Sequence, residues 1–426
     1  MATSSCDPKH RGPLLFPILL IAASCSTASP QVEQPPHVKS GAQVLVDRGF
    51  DRLIGKRVGL ITNHTAMVDS THLIDLLASD DRFELVALFG PEHGLRGLSQ
   101  AGDKIEDSVD SATGVPVYSL YGARRSPPDS ILANLDVLLF DIQDIGARFY
   151  TYISTMGRSM QAAARAGVPF LVLDRPNPLG RRTEGFVLDS ADYSFVGLYP
   201  IPITHGMTVG ELALMIRGEH MLPGLDSLDL DVVPVSGWDP DSLWPSYGSN
   251  WINPSPNIPD FETALVYPGA GLFEGTSWSE GRGTMTPFLN VGAPDIDAEA
   301  LADSLNAEGL PGVRFEATTF TPQSIPVMAE SPKLLNVPLR GIRIVVTDSD
   351  QFEPVATGVH LVSAAYQFTP EAARAEFFNS RWMRLISGGT RMESMITEGV
   401  PADSIVAAWG DEVAAFVEMR RGYLLY

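Results

Sequence analysis

The sequence predicts an open, Rossmann-like α/β parallel sheet followed by a second, smaller α/β domain, with an interdomain cleft. Three observations carry this expectation. The first half alternates short apolar runs with segments of helical spacing. Four of those runs end in polar clusters, and near residue 245 the chain turns to proline-, tryptophan- and then glycine-rich stretches. Strands that read as continuous apolar runs are buried on both faces, as in a parallel sheet covered by helices.

The elements run in order along the chain. Arg57–Asn63 reads as a strand and Ser70–Ser79 as a helix; Phe83–Phe89 is a second strand, which Gly90-Pro91 cannot continue as a central one. Val115–Leu120 is a third strand, Pro127–Leu135 a short helix, Asp136–Phe140 a buried strand, Phe149–Ala166 a long helix and Val168–Leu173 another strand. Beyond the change of texture, strands at Gly312–Phe320 and Gly341–Asp348 and helices at Asp297–Ala307, Val355–Tyr366 and Pro401–Arg420 build the smaller domain. The expected division is 42–245 for the Rossmann-like part and 246–426 for the smaller one. Trp238, Trp244 and Trp251 lie in the proline-rich stretch, where tryptophans serve either as sugar platforms or as a plug between domains.

The chain begins with an address. Lys9 and Arg11 precede an apolar run at 13–24 that ends in small residues; it is shorter than the ~20 residues a spanning helix needs and fits a secretory signal peptide over 1–24. Cys25 comes after Ala22-Ala23-Ser24, which resembles a lipoprotein cleavage site, with Ala22 where a large aliphatic is usual; plain cleavage is the alternative. Residues 25–41 read as a tether, so the expected location is the periplasm or, through a lipid on Cys25, the membrane surface. Cys6 and Cys25 are the only cysteines, which excludes a disulfide framework, a thiolate metal site or a cysteine nucleophile in the folded part. With 51 acidic against 30 basic residues the net charge is −21, which argues against nucleic acid as a partner.

Ligands of such sheets bind outside the carboxyl ends of the strands. The residues just past each strand are therefore informative: Asn63-His64, then Glu92-His93, then Asp141, Gln143, Asp144 and Arg148, then Asp174, Arg175 and Asn177. No Gly-x-Gly-x-x-Gly turn comes after the first strand and no phosphate-binding Gly-x-x-x-x-Gly-Lys motif occurs, so no nucleotide cofactor is expected. His64, His93, Asp141, Asp144 and His205 lack a recognised metal-ligand spacing, and no metal is expected. Carboxylate chemistry remains: glycoside hydrolysis needs a general acid and a second carboxylate. Candidates are Glu92, Asp141, Asp144, Asp174, Glu274 and Glu280, with Asp174 better read as a structural partner of its neighbours.

Seven motifs then occur in order: Asn63-His64, Phe89–Gly97, Asp141–Tyr152, Asp174–Gly180, His205–Thr208, Pro254–Pro259 and Leu272–Gly283. Together, over about residues 42–426, the chain resembles the NamZ-type exo-β-N-acetylmuramidases. The resemblance implies an exported glycosidase that removes terminal N-acetylmuramic acid from the non-reducing end of peptidoglycan fragments, with its site between two domains. It implies Glu92 as catalytic acid, supported by His93, with Glu280 as the second carboxylate ahead of Glu274 and Asp144. It further implies Arg282 or Arg148 for the lactyl carboxylate, and Asn63, His64, Asp141, Gln143, Asp144, Tyr150, Asn177, His205 and Glu274 among the substrate contacts. Two other classes stay open: a muropeptide-binding lipoprotein without catalysis, and a metal-dependent esterase or amidase.

Overall fold

A seven-stranded, mostly parallel sheet forms the body of the first half. The computed structural model describes residues 1, 4, 38–91, 95, 107–122, 124–247 and 250–426. The strands are β1 (Arg57–Thr62), β2 (Glu84–Gly90), β3 (Ser108–Val109), β4 (Pro116–Ser119), β5 (Val137–Asp141), β6 (Phe170–Leu173) and β7 (Leu230–Val233). They lie in the order β7-β6-β5-β1-β2-β4-β3, all parallel except the edge strand β3. Counting the parallel strands alone, the order is 3-2-1-4-5-6, the doubly wound Rossmann arrangement. The chain moves outward from β1 through β2 to β4 and then returns to β5 on its other side. The switch point therefore lies between β1 and β5, where Thr62 pairs with Asp141.

The apolar runs become strands because both faces are covered. All residues of β5 and β6 are buried, and those of β1 are buried after Arg57. Helices α1 (Gly41–Asp47), α2 (Leu73–Ala78), α3 (Asp129–Leu132), α4 (Tyr152–Ala166) and α5 (Val209–Gly218) surround the sheet. α4 stops at Gly167, whose φ of 66° is a left-handed cap conformation. α5 starts with a capping box in which Thr208 and Glu211 satisfy each other's backbone amides.

The second half packs α6 (Phe261–Ala270), α7 (Ala298–Ala307) and α8 (Pro354–Phe368) around a three-stranded antiparallel sheet. Its strands are β8 (Asn290–Ala293), β9 (Val313–Phe320) and β10 (Leu339–Val346), with β10 central. α6 and α8 cross in close contact: a Cβ on Gly269 would lie 1.9 Å from the Pro354 carbonyl oxygen, so only glycine permits this approach. Then come α9 (Ser380–Ser387), α10 (Arg391–Thr397), α11 (Ala402–Ala407) and α12 (Gly410–Arg420). The single helix expected over Pro401–Arg420 is thus two, interrupted at Ala408-Trp409, where the Trp409 ring turns inward against Phe186 at a 5.4 Å centroid distance. The short strands β3, β7 and β8 and helices α1, α5, α6, α9 and α10 were not anticipated.

The two halves belong to one compact unit beginning before Val38. The joint is polar as well as apolar. Glu184 accepts amides from Val355 and Ala356 at the start of α8 at 2.9 and 3.0 Å, and Arg420 donates to the His205 carbonyl at 2.7 Å. The tryptophans of the proline-rich stretch act chiefly as a plug. Trp238 is buried against Tyr247 and Tyr426, and Trp244 packs edge-on against Trp251 at 5.1 Å.

Candidate functional site

The polar clusters at the strand ends do two different jobs. Several members hold the loops themselves. Asp141 is wholly buried and takes both the Nε and Nη2 of Arg175, the latter at 3.0 Å. Gln143 donates its amide to the carbonyls of Asp144 and Pro176 at 2.8 and 2.9 Å. Asn177 donates to the Met207 carbonyl and accepts from the Leu179 amide. Asn177 also packs against Gly146, whose φ of 79° and 2.4 Å Cβ clearance to the Asn177 Oδ1 require glycine. Asn63 folds back to accept both the amide and hydroxyl of Thr65, at 3.0 and 2.6 Å. His64 reaches across to the Asn253 carbonyl at 2.7 Å. Asp174, as its sequence context suggested, is structural: it receives Thr208, the Gly210 amide and the Tyr426 hydroxyl.

Arg148 corrects the expectation that it meets the substrate. Its side chain is fully buried and donates to the carbonyls of Phe186, Ile201 and Ile386 at 2.7–2.8 Å, so it joins α9 to the first half rather than facing a ligand. Burial lowers its pKa to about 9. In the same way Asp141 and Asn177 are held by the protein's own groups, the first by Arg175 and the second by backbone, whereas Gln143, though its amide donates to backbone, also lines a second cavity. His205 is likewise fully buried, 3.8 Å from Asp144. Burial first, then the charges of Arg420 and Arg148, pull its pKa down to about 3 and keep it neutral. The Asp144 carboxyl accepts the Gly146 amide at 2.7 Å, and burial pushes its pKa up to about 7.

The second job falls to residues that open onto a cavity of about 470 Å³ between the two halves, a size within the usual range for small-molecule sites. One wall is Phe149, Tyr150, Thr151 and Tyr152, at the entry to α4. Ser255 and Asn257 of the proline-rich loop form another, and Tyr267, Glu274 and Arg282 close it from the second half. The aromatic rings lock one another edge-on: Tyr150 with Tyr152 at 5.0 Å, Tyr150 with Tyr267 at 6.1 Å, and Tyr267 with Phe288 at 4.7 Å. Tyr152 donates its hydroxyl to the Pro254 carbonyl at 2.7 Å, which fixes the loop over the sheet end.

The glycine-rich motif supplies the charges. Arg282 donates to Glu274 at 2.9 Å, lies 3.7 Å from Glu280, and stacks 4.9 Å over Phe288. Burial works against its charge, and the two carboxylates outweigh it and hold the guanidinium protonated. Glu280, expected as the second catalytic carboxylate, sits behind Arg282: it is 2% exposed, 2.9 Å from the Lys333 ammonium, and does not line the cavity. Lys333 in turn donates to the carbonyls of Phe273, Thr276 and Trp278. The Glu280–Lys333 pair therefore shapes the loop, and Glu274 is the carboxylate that faces the cavity among the described residues.

Glu92 and His93 lie outside the described residues, as do Cys6 and Cys25. The strand that leads to Glu92 is placed, however. β2 ends at Gly90, whose carbonyl accepts the Leu120 amide at 2.8 Å, and the next residue, Tyr121, lines the cavity. The carboxyl end of β2 thus stands one residue from the cavity wall, and only Pro91 separates Gly90 from Glu92 in sequence. A second cavity of about 460 Å³ opens beside Lys39, Asp69, Arg175 and Trp244. It draws no wall from the glycine-rich motif, so the interdomain cavity is the stronger candidate.

Of the residues expected from sequence, the structure brings Tyr150, Glu274 and Arg282 to the cavity. Sequence reasoning missed Tyr267, Ser255, Asn257 and Arg125. Ser255 and Asn257 fell within the Pro254–Pro259 motif and were legible there; Tyr267 stood at the start of the glycine-rich stretch that leads to Glu274, and Arg125 carried no motif.

Comparison with known proteins fits this architecture. Residues 58–262 match the family described as exo-β-N-acetylmuramidase NamZ, N-terminal, and residues 265–426 its C-terminal counterpart. The peptidoglycan β-N-acetylmuramidase NamZ of Bacillus subtilis is 40% identical over 417 residues, 97% of this chain and 98% of that protein. Crystal structures of two DUF1343 family proteins from Bacteroides fragilis superpose with TM-scores of 0.84 and 0.75, each 36% identical. They cover 92% and 91% of this chain, and 100% and 99% of their own. The chain belongs to the NamZ family of exo-β-N-acetylmuramidases.

Proposed function

We propose that this chain is an exo-acting glycoside hydrolase that releases terminal β-linked N-acetylmuramic acid from peptidoglycan fragments in cell-wall turnover and recycling. The observation that carries this reading is likeness to a peptidoglycan β-N-acetylmuramidase across nearly the whole of both chains. The interdomain cavity, walled by tyrosines and a Glu–Arg pair, supports it.

In the proposed mechanism Glu92 protonates the glycosidic oxygen as the bond to the anomeric carbon breaks. Positive charge then develops on the sugar ring, and a second carboxylate stabilises or attacks that carbon, or activates water against it. Glu274 takes the second role, because it faces the cavity while Glu280 is withdrawn behind Arg282. Arg282 orients Glu274 through the 2.9 Å hydrogen bond. The aromatic walls give the sugar apolar faces to lie against. The leader over residues 1–24 and Cys25 support export, with a lipid on Cys25 as anchor; fractionation of cells expressing wild type and Cys25→Ala checks this, and identical soluble distribution removes the anchor.

A chromogenic N-acetylmuramic acid β-glycoside tests the chemistry. Wild type should release the chromophore equally with and without a chelator. Glu92→Gln and Glu274→Gln should each lower kcat by roughly a hundredfold or more, the usual scale of general acid–base catalysis. Full activity in Glu92→Gln removes the proposed acid, and chelator-sensitive release favours a metal-dependent hydrolase.

A further inference from the structure

N-acetylmuramic acid differs from N-acetylglucosamine by a lactyl ether, and so by one carboxylate. A cation in the cleft whose charge is not already neutralised would favour the first sugar. Among the described residues, three charged side chains line the cavity: Arg125, Glu274 and Arg282. Glu274 and Arg282 pair with each other, and Glu280 adds further negative charge behind the arginine. Arg148, the other guanidinium expected to serve, is fully buried on backbone carbonyls.

Arg125 is different in each respect. It is exposed, and its side-chain partner among the described residues is an aromatic ring: Cζ sits 4.3 Å over the centroid of Phe195, which also lines the cavity. The contact with the ring leaves the guanidinium N–H groups available to meet a carboxylate with two parallel hydrogen bonds. With Glu274 and Arg282 cancelling, Arg125 gives the described walls their net positive charge, which matches a monoanionic sugar.

Resting on the muramidase reading, we infer that Arg125, presented on Phe195, binds the lactyl carboxylate and sets the preference for muramic over glucosamine substrates. It is a binding residue, distinct from the groups that make and break bonds.

The test compares wild type, Arg125→Ala and Arg125→Lys on three chromogenic β-glycosides: N-acetylmuramic acid, its lactyl methyl ester and N-acetylglucosamine. Wild type should favour the free acid over the ester. Arg125→Ala should raise KM for the acid by roughly tenfold to a hundredfold, the scale of a charge-assisted hydrogen bond, with kcat little changed. It should also handle acid and ester alike, while Arg125→Lys keeps the charge and recovers part of the preference. Arg125→Ala that still prefers the acid over the ester by the wild-type factor overturns the inference and leaves the muramidase reading standing. A wild-type protein inactive on all three glycosides overturns both.

Discussion

At the scale of single residues, polarity at a strand tip has two physical origins. The turns after β1, β5 and β6 are buried, and buried backbone must be hydrogen-bonded. Asn63, Gln143, Arg148 and Asn177 supply those bonds, and in sequence they look the same as ligand contacts. Tyr150, Glu274 and Arg282 were legible because each lies in a motif rich in glycines and aromatics, although the same motifs also carry structural residues such as Gly146 and Arg148. Arg125 was not, because only the long-range approach of the two halves brings it to the cavity. Arg148 gives a direct check. Arg148→Met removes a donor from three buried carbonyls and leaves those of Phe186 and Ile386 without their Arg148 bond, each at a cost of about 1–3 kcal/mol, while Ile201 keeps the Leu188 amide. Denaturant unfolding should show a loss of roughly 2 kcal/mol or more. Unchanged stability with weakened substrate binding would return Arg148 to the site.

At the scale of elements, the apolar runs located the strands within a residue or two: β1, β2, β5 and β6 all match their expected spans to that margin. The doubly wound order needed the structure, since strand spacing does not say on which side of β1 the chain returns. The break between α11 and α12 escaped because a continuous helical pattern does not reveal that Trp409 turns into the core. The join between the halves carries its own pH dependence. Glu184 is half-buried against the first turn of α8, and desolvation raises its pKa from 4.5 to about 7, with Glu353 reinforcing the shift and the two amides and Arg182 opposing it. A carboxyl whose pKa is raised on folding contributes stability that is complete below pH 4.5 and is lost as pH climbs toward 7. Glu184→Gln mimics the protonated form and keeps an oxygen for the Val355 and Ala356 amides. Its stability relative to wild type should therefore grow across that interval, by about 1.4 kcal/mol per tenfold difference in proton affinity. Unfolding of both proteins from about pH 4 to 8 reads this, and a pH-independent difference contradicts it.

At the scale of the whole molecule, the sheet places the carboxyl ends of its strands beneath the proline-rich loop, and the second half closes the cavity with the glycine-rich motif. Neither half holds the site alone: the tyrosines at the start of α4 come from the first, and Glu274 and Arg282 from the second. The most direct measurement uses two isomeric β-1,4 disaccharides, one with N-acetylmuramic acid at the non-reducing end and one with N-acetylglucosamine there. Purified wild type should release free N-acetylmuramic acid from the first, seen by mass spectrometry, and leave the second intact. Cleavage of the second, or of neither, would contradict an exo-acting muramidase.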